Sequence, residues 1–429
     1  MIVFIITYIG IVFEWVHRTI AAITGAAVMV IIGIHFDYIS DTISPLTEYK
    51  LFDLIDFNTI GLLAGMMIII AVLQETGFFE YIAIRAAKTS KGSPWLLLLM
   101  FGLITAFVSM FLDNVTTVLL MVPVTFAVTK QLEMSPVPII MTESMFSNLG
   151  GVGTMIGDPP NIMISSASKF SFNDFFIRLF PVTVCVIFIS LLLLRFLQKR
   201  WLNSRPKNIE KIMEMNENEA IKDPVALKKT LAIMILTVFL LSIHDIVGLL
   251  PATVALISAG LALLINRSDI HSMLERVEWS TLLFFGALFI MVGTLAHTGF
   301  LKSIADSIVN ISHGDMIFAA LLVLWVSAIT SAFIDNIPFT VAMLPVISEI
   351  VTVTGSKAHI LWWVLAMGVG YGGLATPIGS TPGVVTSGLS ERNGEPISFL
   401  RWMKIGVPLM LISLIFVSII VILIPWVFY

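Results

Sequence analysis

The chain has 429 residues, 58% of them hydrophobic and 12% charged, with a formal net charge of −4 and a mean hydropathy of +0.99. Soluble domains carry about 45–50% apolar and about 25% charged residues, so a water-soluble domain is excluded, and the lack of a basic block excludes nucleic-acid binding. The single cysteine, Cys185, sits in an apolar run and excludes a disulfide framework, and the seven histidines show no metal-binding spacing.

What remains is a polytopic membrane protein. A helix needs about 20 apolar residues to span a bilayer. In chain order, apolar runs predict helices at 2–13, 19–34, 57–75, 94–112, 114–129, 139–149, 161–167, 179–197, 230–243, 250–265, 280–297, 315–334, 336–353, 359–371, 382–389 and 405–428. Several are too short to cross alone. The sequence opens directly in apolar residues, without a charged n-region or a clear cleavage site, so no removable signal peptide is expected. Residues 203–229, with RPKNIEKIMEMNENEAIKDP at the centre, carry charges of both signs. They read as a cytosolic linker between membrane repeats 1–202 and 230–429.

The two halves repeat each other. A shift of 222 residues aligns 56–161 with 278–383 without a gap, and 26 of 106 positions are identical. Matches include Thr76-Gly77-Phe78 with Thr298-Gly299-Phe300, Asp113-Asn114 with Asp335-Asn336, Gly150-Gly151 with Gly372-Gly373, and Ile156-Gly157 with Ile378-Gly379. An internal repeat in an apolar chain is a signature of secondary transporters. With the repeats inverted and both termini outside, 19 Lys and Arg face the cytoplasm and 5 face outward, as the positive-inside rule requires. Arg18 counts among the 19, and the acidic loop from Asp37 to Asp56 falls outside.

Two elements stand out in each half. One is an apolar hairpin with a polar tip, Asp113-Asn114-Val115-Thr116-Thr117 in the first half and Asp335-Asn336-Ile337-Pro338 in the second. A carboxylate deep in a bilayer costs about 2.5–3.5 kcal/mol, so it must be paired, protonated or in a wet cavity. The residues alone do not separate a re-entrant hairpin from two full spans, because both return the chain to the same side. The other element is a Gly/Pro-interrupted run, from Ser147 to Asn161 in the first half and from Gly370 to Gly383 in the second. Such runs cannot be continuous helix. Broken helices at matching places in two halves point to a transport site.

The sequences LDNVTTVLLMVP and SNLGGVGTMIGDPPN resemble the ArsB/NhaD branch of the ion-transporter superfamily, and most of all its P-protein-type permeases. The resemblance covers essentially the whole chain. It implies an all-α polytopic membrane protein of two inverted-topology repeats, each with a re-entrant helical hairpin and a broken helix. It also implies that the tips form the site. Asp113, Asn114 and Thr116 would meet Gly153, Thr154, Asp158 and Asn161. Asp335 and Asn336 would meet Ala375, Thr376, Ser380 and Thr381. Asn148 joins the candidate ligands, and sodium would sit at Asp113, Asn114, Thr154 and Asp158. Two departures stand out. The tips carry Asp where the anion–sodium symporters have Ser, and the first tip lacks the Asn-Asp-Gly of arsenite carriers.

The expected function is a proton-coupled secondary antiporter in the cell membrane, with Asp113 and Asp335 as the proton-coupling residues. Asp158 reads equally well as a cap on the helix starting at Pro159, and Thr116, Thr117 and Thr154 as back-bonding to helix carbonyls. Glu75, Glu143 and Glu349 read as interface residues. No Lys or Arg is near either tip along the chain, which disfavours a dicarboxylate substrate. The preferred cargo is a small inorganic solute, arsenite or antimonite, chosen on family prevalence. Sodium–proton antiport comes next, and a citrate-like anion after it. No cofactor is expected beyond sodium or a proton as coupling ion. The bilayer is a partner, and there is room for a cytosolic ATPase subunit. An intramembrane aspartyl protease and a passive channel are the readings from other classes.

Overall fold

The computed structural model describes residues 2–12, 16–39, 53–204, 206–266, 269–296 and 300–428. Lys50, Arg267, Thr298-Gly299 and most of the acidic 37–56 loop lie outside these. The first half holds α1 (Ile2–Val12), α2 (Arg18–Ile39), α3 (Phe57–Glu75), α4 (Phe78–Thr89), α5 (Pro94–Ser109), α6 (Asn114–Gln131), α7 (Val137–Val152), α8 (Pro159–Ser168) and α9 (Phe172–Leu197). The second half holds α10 (Pro224–Val247), α11 (Pro251–Asn266), α12 (Trp279–Ala296), α13 (Phe300–Ile311), α14 (Met316–Ser331), α15 (Asn336–Thr354), α16 (Ile360–Gly372), α17 (Thr381–Arg392) and α18 (Phe399–Leu423). Each element of the first half has its counterpart nine places later.

Several helices extend beyond their apolar runs because local bonds satisfy the polar ends. The helix expected from residue 179 begins at Phe172. Ser171 and Asp174 form a reciprocal capping box, and Asp174 pairs with Arg178 at 2.8 Å. The helix expected from residue 230 begins at Pro224, where Asp223 caps Val225 and Ala226. Helices α4 and α13 escaped the apolar search because only one face of each is apolar.

The hydrogen bonds at the two ends of the bundle show that the repeats are inverted. At the linker end, the Lys207 amide donates to Leu132 O at the base of the first hairpin, and Arg276 faces Glu75 at the end of α3. At the opposite end, Asn173 donates to Ser242 O, and the Ala252 amide donates to Asn58 at the start of α3. Phe170, next to Asn173, touches the His359 ring at the base of the second hairpin. The two hairpins therefore enter from opposite faces.

Both hairpin tips reach the same pocket, so neither hairpin crosses the membrane. Helices α5 and α14 have 16 residues each, about 24 Å at 1.5 Å per residue, short of the ~30 Å hydrocarbon core. Helix α15 is long and apolar enough to span, yet it starts at the Asp335 tip inside the bundle. The hairpins are re-entrant.

The halves interleave. Helix α2 packs on α12, and α11 on α3. The second arm of each hairpin, α6 or α15, packs against the post-break helix of the other half, α17 or α8. Helices α7 and α16 form the centre, with every residue buried; α16 is apolar almost all round, whereas α7 also buries Thr142, Glu143, Ser144, Ser147 and Asn148. Close approach needs glycine there. A Cβ on Gly150 would lie 2.1 Å from Ala106 O, and one on Gly372 would lie 2.4 Å from Ala328 O.

The charged 203–229 stretch is strapped to α4 and to the turn before it. Glu217 accepts from Arg85 at 2.7 Å and Lys88 at 2.6 Å, and the Lys222 amide donates to Thr76 O. Together the two cations hold the Glu217 carboxyl down at about 2.

Candidate functional site

The tips are built to one pattern, twice. Thr154 Oγ donates to Met110 O, and Thr376 Oγ donates to Ala332 O. Each hydroxyl also accepts the amide of the repeat-matched glycine within its own motif, Gly157 at 3.2 Å and Gly379 at 3.0 Å. Ser109 Oγ bridges Asn114 and Ser147 O at 2.7 and 2.8 Å, and Ser331 donates to Val369 O at 2.9 Å. In the orientation its neighbours dictate, the Asn336 amide nitrogen donates to Val369 O and Gly379 O, both at 3.1 Å. Each hairpin tip is thereby stitched to α7 or α16 and to the unwound segment that follows it, which gives backbone groups at the breaks protein partners.

The repeat then diverges. Asn161 donates to Gly151 O, Val152 O and Thr154 O at 2.8–3.2 Å. Gly383 occupies the matching position and can do none of this. Asn148 Nδ2 donates across the halves to Ser380 Oγ at 2.8 Å. The two acidic tips differ as well. Asp113 caps α6, accepting from the Val115 and Thr116 amides at 3.0 and 3.1 Å and from Thr116 Oγ at 2.5 Å. Asp335 makes no capping bond. It accepts instead from Arg18 at 3.0 Å and Thr381 Oγ at 2.7 Å.

Arg18 corrects the sequence reading, in which it counts as a cytoplasmic loop charge and both tips lack a cation. It starts α2 some 317 positions before Asp335, so chain distance concealed it. Its guanidinium also reaches Thr381 at 2.9 Å and lies over the Phe284 ring, 5.4 Å from its centroid.

The two clusters expected from the sequence form one pocket. Asp113, Asn114, Asp158, Asp335, Asn336 and Thr381 line it together with Arg18, Glu278 and Thr281. Asp158 is 4% exposed and lies beside Asn114 and Asn336, one amide from each half. It makes no capping bond to α8, so the cap reading fails for Asp158, whereas Asp113 does cap its helix. Of the other expected ligands, Thr116, Thr154, Asn161 and Thr376 spend their polar atoms on internal bonds. Gly153 and Ala375 are buried beside the breaks, and Asn148 and Ser380 bond each other behind the pocket.

Glu278 was missed, although the repeat marked it. It aligns with Asp56, an acidic residue at the same place in the first half. It accepts from Thr281 Oγ at 3.0 Å. Four carboxyl groups and one guanidinium therefore face one small space. A vestibule of about 700 Å³ joins it, lined by His17, Arg18, Phe284, Asp335, Pro338 and Thr381 among others. Among the described residues, no three His, Cys, Asp or Glu side chains gather closely enough to hold a metal ion. Cys185 is exposed on α9.

Residues 8–368 match the family model described as citrate transporter, CitMHS. The chain belongs to this family. A 46 kDa membrane protein of Mycobacterium leprae is 39% identical over 96% of this chain and 95% of its own length. An uncharacterised transporter of Mycobacterium tuberculosis is 37% identical over the same shares. The human P protein is 31% identical over 95% of this chain, which corresponds to 57% of that longer protein. Among solved structures, the YdaH transporter of Alcanivorax borkumensis has the same fold, with a TM-score of 0.63, 13% identity and coverage of 95% and 98%. This family member is thus a multi-pass secondary transporter and not an enzyme.

Proposed function

We propose that this CitMHS-family transporter exchanges a small cation, sodium in the first instance, for protons at the pocket between the hairpin tips. The observation that carries the reading is the charge balance. Asp113, Asp158, Asp335 and Glu278 face a single guanidinium. Such a pocket attracts cations or binds protons, and repels a bare anion. In this reading Asp335 and Asp158 carry the exchangeable charge, and Arg18 holds Asp335 while cargo is absent. Asp113 keeps its tip folded and adds to the field. With the linker in the cytosol, the vestibule beside Arg18 opens inward, and both termini lie outside in the plasma membrane.

The metalloid reading ranks lower on this geometry. Arsenous acid would need free hydroxyl and amide partners, and those of Thr154, Asn161 and Thr376 are committed internally. A citrate-like substrate is the second reading. Arg18 beside Asp335 and the family's description favour it, provided cations or protons offset the substrate's charge. An ATPase subunit is not required by either reading. The test is counterflow in proteoliposomes under an imposed pH step, with sodium, arsenite, antimonite and citrate offered in turn. Sodium-driven proton release supports the proposal. Flux of citrate or arsenite that sodium leaves untouched overturns it.

A further inference from the structure

A second cavity, of about 790 Å³, lies at the linker end between α9 and α18, far along the chain from the tips. Lys199, Arg200, Arg401 and Lys404 line it, and no acidic residue does. All four side chains are exposed, and among the described residues none forms an ion pair. The cavity also contains an unspent donor. Gln198 is 8% exposed, lines the same cavity, and its Nε2 has no hydrogen-bond partner. A buried amide without a partner is destabilising, so an acceptor in the cavity would remove a standing penalty.

The position of the cavity selects the acceptor. Helix α9 ends here and α18 begins here, both long apolar spans, so the cavity sits at a membrane–water boundary. Trp201 donates to Ser135 O at 3.1 Å and marks that boundary. Phe196 is 75% exposed on the lipid side, and Leu197, Pro138 and Ile405 continue the apolar rim. Cations above an apolar rim match an anionic phosphate on top of acyl chains. We infer that this cavity is a binding site for the phosphate headgroup of an anionic phospholipid in the leaflet on the linker side. The guanidinium and ammonium groups take the phosphate oxygens, and Gln198 Nε2 donates to one of them. Because the site spans the last helix of each half, a bound lipid bridges the two repeats.

The test uses the full-length protein purified in detergent. It is titrated with phosphatidylglycerol, with phosphatidylcholine of the same chains, and with inorganic phosphate, while its melting temperature is followed and native mass spectrometry counts retained lipid. Phosphatidylglycerol raises the melting temperature and stays bound; the other two do neither. Basic residues near an anionic surface contribute about 1 kcal/mol each, so the double variant Arg401→Gln/Lys404→Gln binds roughly thirtyfold more weakly. The double variant Lys199→Gln/Arg200→Gln does the same from the other helix, and Lys91→Gln/Lys211→Gln leaves binding unchanged. Equal stabilisation by phosphatidylcholine, or undiminished binding in both cavity variants, overturns the site. Stabilisation by inorganic phosphate equal to that by the lipid overturns the lipid assignment.

Discussion

Replacing Arg18 with glutamine is the most informative single change. Its Nη1 lies 3.0 Å from Asp335 Oδ2, with the two side chains 25% and 22% exposed. At that separation and an effective dielectric of about 20, the gross attraction is about 5–6 kcal/mol. Desolvation of both groups cancels much of it. The net value of a charge-assisted hydrogen bond is about 1.5–3 kcal/mol. A cation that binds Asp335 must displace the guanidinium and overcome that net value. Removing the competitor should therefore tighten apparent sodium affinity by about 2 kcal/mol, roughly thirtyfold. The assay is sodium-dependent collapse of a pH gradient in proteoliposomes carrying a pH-sensitive dye, with the sodium concentration for half-maximal rate as the readout. The opposite outcome is equally concrete. If Arg18→Gln leaves sodium affinity unchanged or weakens it, the guanidinium is no stand-in for the cargo. If it abolishes citrate flux instead, Arg18 is an anion ligand and the second reading takes over.

Asp335→Asn should abolish proton-coupled flux with the fold intact, measured by the same dye assay and circular dichroism. Asp113→Asn should leave the melting temperature nearly unchanged, because Asn caps a helix as well as Asp does, while lowering flux through the lost charge; a large loss of stability would show that the charge itself holds the tip. Thr154→Val and Thr376→Val each leave a buried carbonyl without its donor, Met110 O or Ala332 O, at a cost of roughly 1–3 kcal/mol. Thermal unfolding in detergent reads this, and an unshifted midpoint would remove the stitching role. The Glu217 strap should loosen in acid. Its folded value is held down at about 2 by Lys88 and Arg85, below the ordinary glutamate value of about 4.3. Its contribution is therefore full above that ordinary value and fades as pH falls through the window down to about 2. Hydrogen exchange at residues 215–222 should rise across that window, and Glu217→Gln should show fast exchange at every pH.

Much of the architecture was legible because membrane physics leaves few choices. Paired Gly/Pro breaks cannot be continuous helix, and the constant 222-residue offset places them, with the paired Asp-Asn tips, at matching positions of the two halves. Helices α4 and α13 were not legible, because a mean-hydropathy search misses an amphipathic helix. The same repeat also misled. Equivalent aspartates looked equivalent in role, yet Asp113 is spent on its own helix end and Asp335 on Arg18. The difference lies in neighbours that the alignment does not hold constant. Thr116 offers Asp113 a hydroxyl where Pro338 offers Asp335 none, and Arg18 has no basic counterpart in the second half, where Pro251 starts α11.

The sequence by itself determined that this chain lives in a bilayer, that it is two copies of one plan, and that each copy carries an acidic tip and a broken helix. Apolar content, identity at a fixed offset and the incompatibility of Gly/Pro runs with helix are all local properties. Only the tertiary structure decided that the hairpins stop halfway, that two expected clusters are one pocket, and that Arg18 and Glu278 belong to it. Those facts depend on interleaving, with α2 of one half packed on α12 of the other. Contacts made across hundreds of residues leave no periodic trace in the chain that makes them.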